Sequence, residues 1–188
     1  MSMNGNLSDS AADSVVAVNS FALGAELGQS ILNLPVDLQG VALLSSNRAL
    51  ISDFGEFQNG LKTAVFAGDR RLPISVIELS PDDIFARQAI EKILNESPGY
   101  NLIITDSPDI TMNLSQAIIE QNIVGSAYVI GSGSAEELED YIDAGIIQGL
   151  MNISPGEAAL KTLSVMSELL NGREPRTNEE INVRLEGM

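Results

Sequence analysis

Apolar residues in this chain gather in short β-branched runs that stop at polar or glycine corners, and most corners open onto a helical repeat. The runs are Val15–Val18, Val41–Leu44, Ile74–Ile77, Leu102–Ile104, Tyr128–Ile130 and Ile146–Leu150. Uninterrupted apolar runs of this kind read as strands buried on both faces. Between them, Phe21, Leu23, Leu27 and Ile31 recur at near-helical spacing, as do Leu50, Phe54, Phe57, Leu61 and Val65. Alternating strands and helices imply a parallel sheet with helices on both sides. The expected fold is therefore α/β, a three-layer αβα arrangement with a mostly parallel sheet of flavodoxin-like order 2-1-3-4-5, Val15–Val18 being read as its first strand. Residues 1–13 read as a flexible lead-in, 14–153 as the α/β lobe, and 154–188 as a crossover helix and tail that packs on the lobe or on a partner.

Helix boundaries are marked chemically. Ser20 is placed to cap the first helix, and Pro35 ends it. Ser80-Pro81 and Ser107-Pro108-Asp109 each combine a cap, a proline at the first helical position and acidic charge in the first turn. Ser134 with Glu137 forms a capping box. Ser154-Pro155 leads into a long helix over Glu157–Leu170, ended by Gly172, and a last short strand is expected at Ile181–Leu185. Gly55 and Gly60 each weaken the second helix by up to about 1 kcal/mol, so close packing against a neighbour is expected there, with a kink as the alternative.

Composition narrows the chemistry. The chain has 188 residues, no Cys and no His. Disulfides, thiolate nucleophiles, histidine bases and the commonest metal ligands are thereby removed. The formal net charge is −16, and no Lys or Arg lies between Lys92 and Lys161. No nucleic-acid contact is expected of such a surface; its plainest role is solubility. No apolar run approaches the ~20 residues of a membrane span, and Met1–Ser10 shows no signal-peptide pattern. Gly131-Ser132-Gly133 begins like a dinucleotide loop but continues to Glu136, and no phosphate-loop lysine is present. No catalytic residue, metal or cofactor is implied.

In a parallel sheet the carboxyl ends of the strands share one rim, where ligands bind. That rim should collect Asn19, Ser46, Asn47, Arg48, Asp106, Ser107, Ser132 and Asn152. Neutral hydroxyls and amides with one Arg and a few acids suit an uncharged polyhydroxylated ligand, whose hydroxyls both donate and accept. Arg48 could fork onto a ligand oxygen or onto Asp106. Ser107, Ser80 and Ser134 read equally as helix caps, and Asp109 as first-turn charge.

The stretch YNLIITDSPDITMNLSQAIIEQNIVG, followed by AYVIGSGSAEELEDYIDAGIIQGLMNISPGEAALKTLSVMSELLNGREP, resembles the carboxyl-terminal lobe of type I periplasmic solute-binding proteins, especially those of sugar ABC importers. LacI-type regulators share that core. The earlier stretch, VVAVNSFALGAELGQSIL through QNGLKTAVF, resembles the family's entry into its second lobe, so the likeness spans about residues 14–184. It implies a single lobe of that fold, non-catalytic binding of a small, sugar-like solute, and an ABC-transporter permease as partner. The alternatives are effector sensing in a LacI-like regulator or sensor, or an oligomerisation module without ligand. An extracytoplasmic location follows from the transport reading and a cytoplasmic one from the regulator. The family's acidic corner falls near Asp106-Ser107, its usual Arg on Phe57, its "V-G-x-D" Asp on Gly133, and Asn19 stands where an Asp is common. The resemblance also implies a first lobe absent from this chain, so that the apolar face of Glu157–Leu170 is expected to meet either that lobe or a second copy.

Overall fold

The apolar runs form strands in the computed structural model, which describes residues 2–3, 15–46, 51, 53–68, 72–79, 83–96, 99–153, 155–172, 178–181 and 183–187. In chain order the elements are β1 (Ser2–Met3), β2 (Val15–Val18), α1 (Ser20–Leu32), β3 (Val41–Ser45), α2 (Phe54–Ala67), β4 (Ile74–Glu78), α3 (Asp83–Glu96) and β5 (Leu102–Thr105). They continue with α4 (Pro108–Glu120), β6 (Tyr128–Ser132), α5 (Glu139–Asp143), β7 (Gly149–Ile153), α6 (Pro155–Leu170), β8 (Asn178–Ile181) and β9 (Val183–Glu186).

Six strands make the main sheet in the order β4-β3-β5-β6-β7-β9. The first five are parallel, and β9 closes the edge antiparallel to β7. Counted from β3, this is the 2-1-3-4-5 order with one added strand. Successive side chains alternate between two cores, as the pleat requires. Val41 and Leu43 face Leu27, Phe57 and Leu61 of α1 and α2. Ala42 and Leu44 face Ile90 of α3 and Ile110 and Leu114 of α4. The result is three layers, αβα.

Val15–Val18 does not belong to the main sheet. It lies between β1 and β8 in a separate three-stranded sheet, pairing Val15 with Asn178 through Val18 with Ile181, all parallel. Its side chains still reach the larger core, since Val16 and Val18 pack in one cluster with Leu23, Ile31 and Val41. Burial was therefore readable from the run, but the hydrogen-bonding partner came from the far end of the chain. The expected tail strand is likewise split: β8 serves the small sheet and β9 the main one, with one residue between them. The run Ile146–Leu150 also shifts, because Ile146 and Ile147 both donate to the Tyr141 carbonyl in the middle of α5 and the strand starts only at Gly149.

Helix starts follow the expected chemistry at α4 and depart from it at α1 and α5. The Ser134 hydroxyl accepts from the Glu137 amide at 3.3 Å and donates to its carboxylate at 2.9 Å, but α5 begins only at Glu139, with Leu138 at its cap. Ser107 caps α4, and Gly172 follows α6 with φ of +68°. The cap of α1 is Asn19, whose side chain accepts from the Ala22 amide; Ser20 instead accepts from the Asp53 amide at 3.2 Å. Asn47, Arg48 and the Ser80-Pro81 start lie outside the described residues.

Helices α1 and α2 run side by side in the same direction with their backbones touching. A Cβ on Gly24 would sit 2.0 Å from the Phe57 carbonyl oxygen, and one on Gly60 2.1 Å from that of Phe21. Gly60 is thus explained by close packing. Gly55, whose added Cβ would meet only the Asp53 side chain at 3.3 Å, is not. Replacing Gly60 by Ala should lower unfolding free energy by about 1–3 kcal/mol, because the obstruction is backbone. Gly55→Ala should change it by less than about 1 kcal/mol. Urea melts of the two variants check the contrast.

Candidate functional site

Each parallel strand of the main sheet ends on the same rim. Register places Leu44 beside Thr105, Ile104 beside Ile130, and Ser132 beside Met151. Continuing in register, Ser46, Ser107, Gly133 and Asn152 come level on the rim, with Asp106 the first residue beyond β5.

Asp106 is the centre of this rim. It is 2% exposed, and the Ser46 amide donates to both its carboxylate oxygens, at 3.1 and 3.2 Å. The Ser46 hydroxyl donates to the Ser107 hydroxyl at 3.3 Å. Burial pushes the Asp106 carboxyl up from 3.8 to about 6, although hydrogen bonds from the Ser45 side chain, the Ser46 backbone and its own backbone pull it down. The carboxylate is thus held just beneath the rim at a cost in solvation.

Beneath the rim lies a buried hydroxyl network that sequence reading missed. The Thr111 hydroxyl bonds the Thr105 hydroxyl at 2.6 Å, the Ser107 carbonyl at 2.8 Å and the Ser132 carbonyl at 3.0 Å, and it also lies 3.0 Å from the Ser132 amide. Three bonds exhaust one hydroxyl, so its single proton is shared among acceptors. Thr111 gets this close to β6 because Gly131 has no side chain; a Cβ there would lie 2.6 Å from the Thr111 methyl. The one local signal was a threonine four residues after the capping Ser107, a spacing that returns the hydroxyl to the preceding turn.

The eight candidate residues therefore divide. Ser46, Asp106 and Ser107 are in mutual contact. Ser132 is fully buried, and its hydroxyl donates to the Thr105 carbonyl at 2.6 Å; it braces the rim from below. Asn152 lies on the same rim two strands from Asp106, on the order of 10 Å away, and donates to Glu186 at 3.1 Å. Gly133, without a side chain, stands between them. Asn19 is at the tip of the small sheet, where its amide donates to Glu180 at 2.9 Å. It lines a separate cavity of about 100 Å³ with Glu26 and Glu180, below the ~300 Å³ of an ordinary ligand pocket. Asn47 and Arg48 follow Ser46 in sequence and fall outside the described residues.

Comparison with known proteins gives a match at the level of structure alone. No family model matches the sequence, and no curated protein does. Among solved structures, the chain is similar to the periplasmic component of a sugar ABC transport system from Hahella chejuensis, with TM-score 0.81 and 21% identity over 98% of this chain and 67% of that one. It is similar to GanP, a glucose-galactose binding protein from Geobacillus stearothermophilus, with TM-score 0.79 and 16% identity over 97% of this chain and 65% of that one. It is also similar to a protein assigned as a LacI transcriptional regulator from Bacteroides fragilis, with TM-score 0.80 and 14% identity over 97% and 64%. The chain thus spans about two thirds of the length of these structures. Over that span its fold is the one these structures share, a mostly parallel sheet between two layers of helices.

Asp106 makes a pH signature. Its folded pKa of about 6 exceeds the ordinary 3.8, so between these values the folded chain keeps a proton that the unfolded chain has lost. Unfolding then releases that proton, and stability falls as pH rises through the window. Relative to Asp106→Asn, the native chain should lose roughly 3 kcal/mol between pH 3.5 and 7, and the difference should level off above pH 7. Parallel denaturant titrations of both proteins measure this difference free of the other carboxylates.

Proposed function

We propose that the chain binds a small, uncharged, polyhydroxylated solute, most simply a sugar, at the carboxyl rim of its main sheet. The Ser46–Asp106–Ser107 cluster carries this reading. A carboxylate oxygen accepts from a ligand hydroxyl, while a serine hydroxyl both donates and accepts. Asn152, about 10 Å across the rim, supplies an amide. Two hydrogen bonds of ~2.8 Å leave roughly 4–5 Å between these groups, the width of one sugar ring. Binding needs no covalent step and no catalytic residue. A single rim contacts one side of a ligand only, so tight binding requires a second body to close over it and exclude water.

Solute capture for an ABC importer is the favoured role, with a permease as the downstream partner and an extracytoplasmic site of action. The similar structures described as periplasmic sugar-binding components support it. The second reading is effector sensing in a LacI-like regulator, favoured by the likeness to the Bacteroides fragilis protein and implying a cytoplasmic site.

Thermal-shift and calorimetric titration against monosaccharides, polyols and nucleosides tests the proposal. A neutral sugar or polyol should raise the melting temperature, with affinity in the millimolar to high micromolar range for this chain alone. Asp106→Ala should abolish the shift. Asn19→Ala, away from the rim, should cost about 1 kcal/mol of stability through the lost helix cap and leave ligand affinity unchanged. No shift with any neutral polyol would sink the reading.

A further inference from the structure

Helix α6 is apolar on more of its circumference than this chain covers. Ala158 and Val165 are buried against the small sheet and the larger core. Leu160, Leu163, Met166 and Leu170 lie on a neighbouring strip and remain 71%, 60%, 44% and 85% exposed. Leu160, Leu163, Ser167 and Leu170 repeat at the three-four-three spacing of a coiled-coil seam. At 100° per residue, the charged Glu157, Lys161 and Glu168 all fall on the opposite side of the helix. The strip therefore carries no charge on a chain of formal charge −16.

We infer that this strip docks against the same strip of a second copy of the chain, as an antiparallel helix pair about a two-fold axis. The spacing matches itself on reversal. Leu160 and Leu170 are equidistant from Val165, as are Leu163 and Ser167, so a two-fold axis there sets Leu160 against Leu170 and the large Leu163 against the small Ser167. An isologous contact requires such self-complementarity. Two copies repel wherever their carboxylates face one another, and an uncharged strip is where they approach at least cost. The four side chains expose on the order of 500 Å² per copy, so pairing buries about 1,000 Å², at the lower bound for a specific interface. The dimer is accordingly weak and concentration-dependent. It stands independently of the ligand reading, because α6 contributes no residue to the rim.

Sedimentation velocity on the full chain, from about 5 to 500 µM, reads the association directly. The native chain should shift from the monomer mass toward twice that mass, and the dissociation constant should tighten several-fold as salt rises from about 0.02 to 0.5 M and screens the charge. Leu163→Glu should weaken the dimer at least tenfold with unchanged circular dichroism and melting temperature, since the replaced side chain is already in water. Phe66→Glu, at an exposed position on α2, should leave the mass distribution untouched. A monomer at every concentration overturns the inference and leaves the strip to a different protein. A dimer that survives Leu163→Glu, or one lost equally with Phe66→Glu, also overturns it.

Discussion

A parallel strand can be followed by another only if the chain is carried back to the starting edge, and here helices do the carrying. Every main-sheet corner after a parallel strand consequently opens on one rim. The placement of Ser46, Asp106, Ser107, Gly133 and Asn152 follows from that single constraint together with strand register. Nothing in their local sequence brings them together; Ser46 and Asn152 lie more than a hundred residues apart. The Thr111 hydroxyl then fixes the rim's fine geometry by tying the ends of β5 and β6 to the first turn of α4.

The features legible in the sequence were the ones decided locally. Ser107-Pro108-Asp109 announced a helix start because a cap, a fixed φ and a favourable charge all act within one turn. The apolar runs announced burial, and their order announced an αβα sandwich. Misreadings arose where two segments competed for one partner. Val15–Val18 is apolar enough to be a central strand, yet its pairing was settled by Asn178–Ile181 at the other end of the chain. Ile146 and Ile147 are buried like strand residues but are spent on the turn after Tyr141. Asn19 lost its expected place on the main rim for the same reason as the strand that precedes it.

The site divides along the same line. That hydroxyl-bearing corners would gather could be seen from chain order. Which hydroxyls face outward could not, because facing depends on what packs beneath. Ser132 and Ser107 look alike in sequence, as serines at strand ends. Both are buried, but one donates to the Thr105 carbonyl, while the other caps α4 and accepts from the half-buried Ser46 hydroxyl. Asp106 keeps a carboxylate in a place where water is scarce, and the Ser46 amide only partly offsets that loss.

The passage from β8 to β9 has a mechanical side. One residue separates a strand of the small sheet from the edge strand of the main sheet, and β9 is laddered to β7 through Arg184 and Asn152. So short a link has almost no slack to absorb a change in tilt between the two sheets. Any change in the tilt of the small sheet would therefore act first on the start of β9, which is laddered to Asn152 and Ile153.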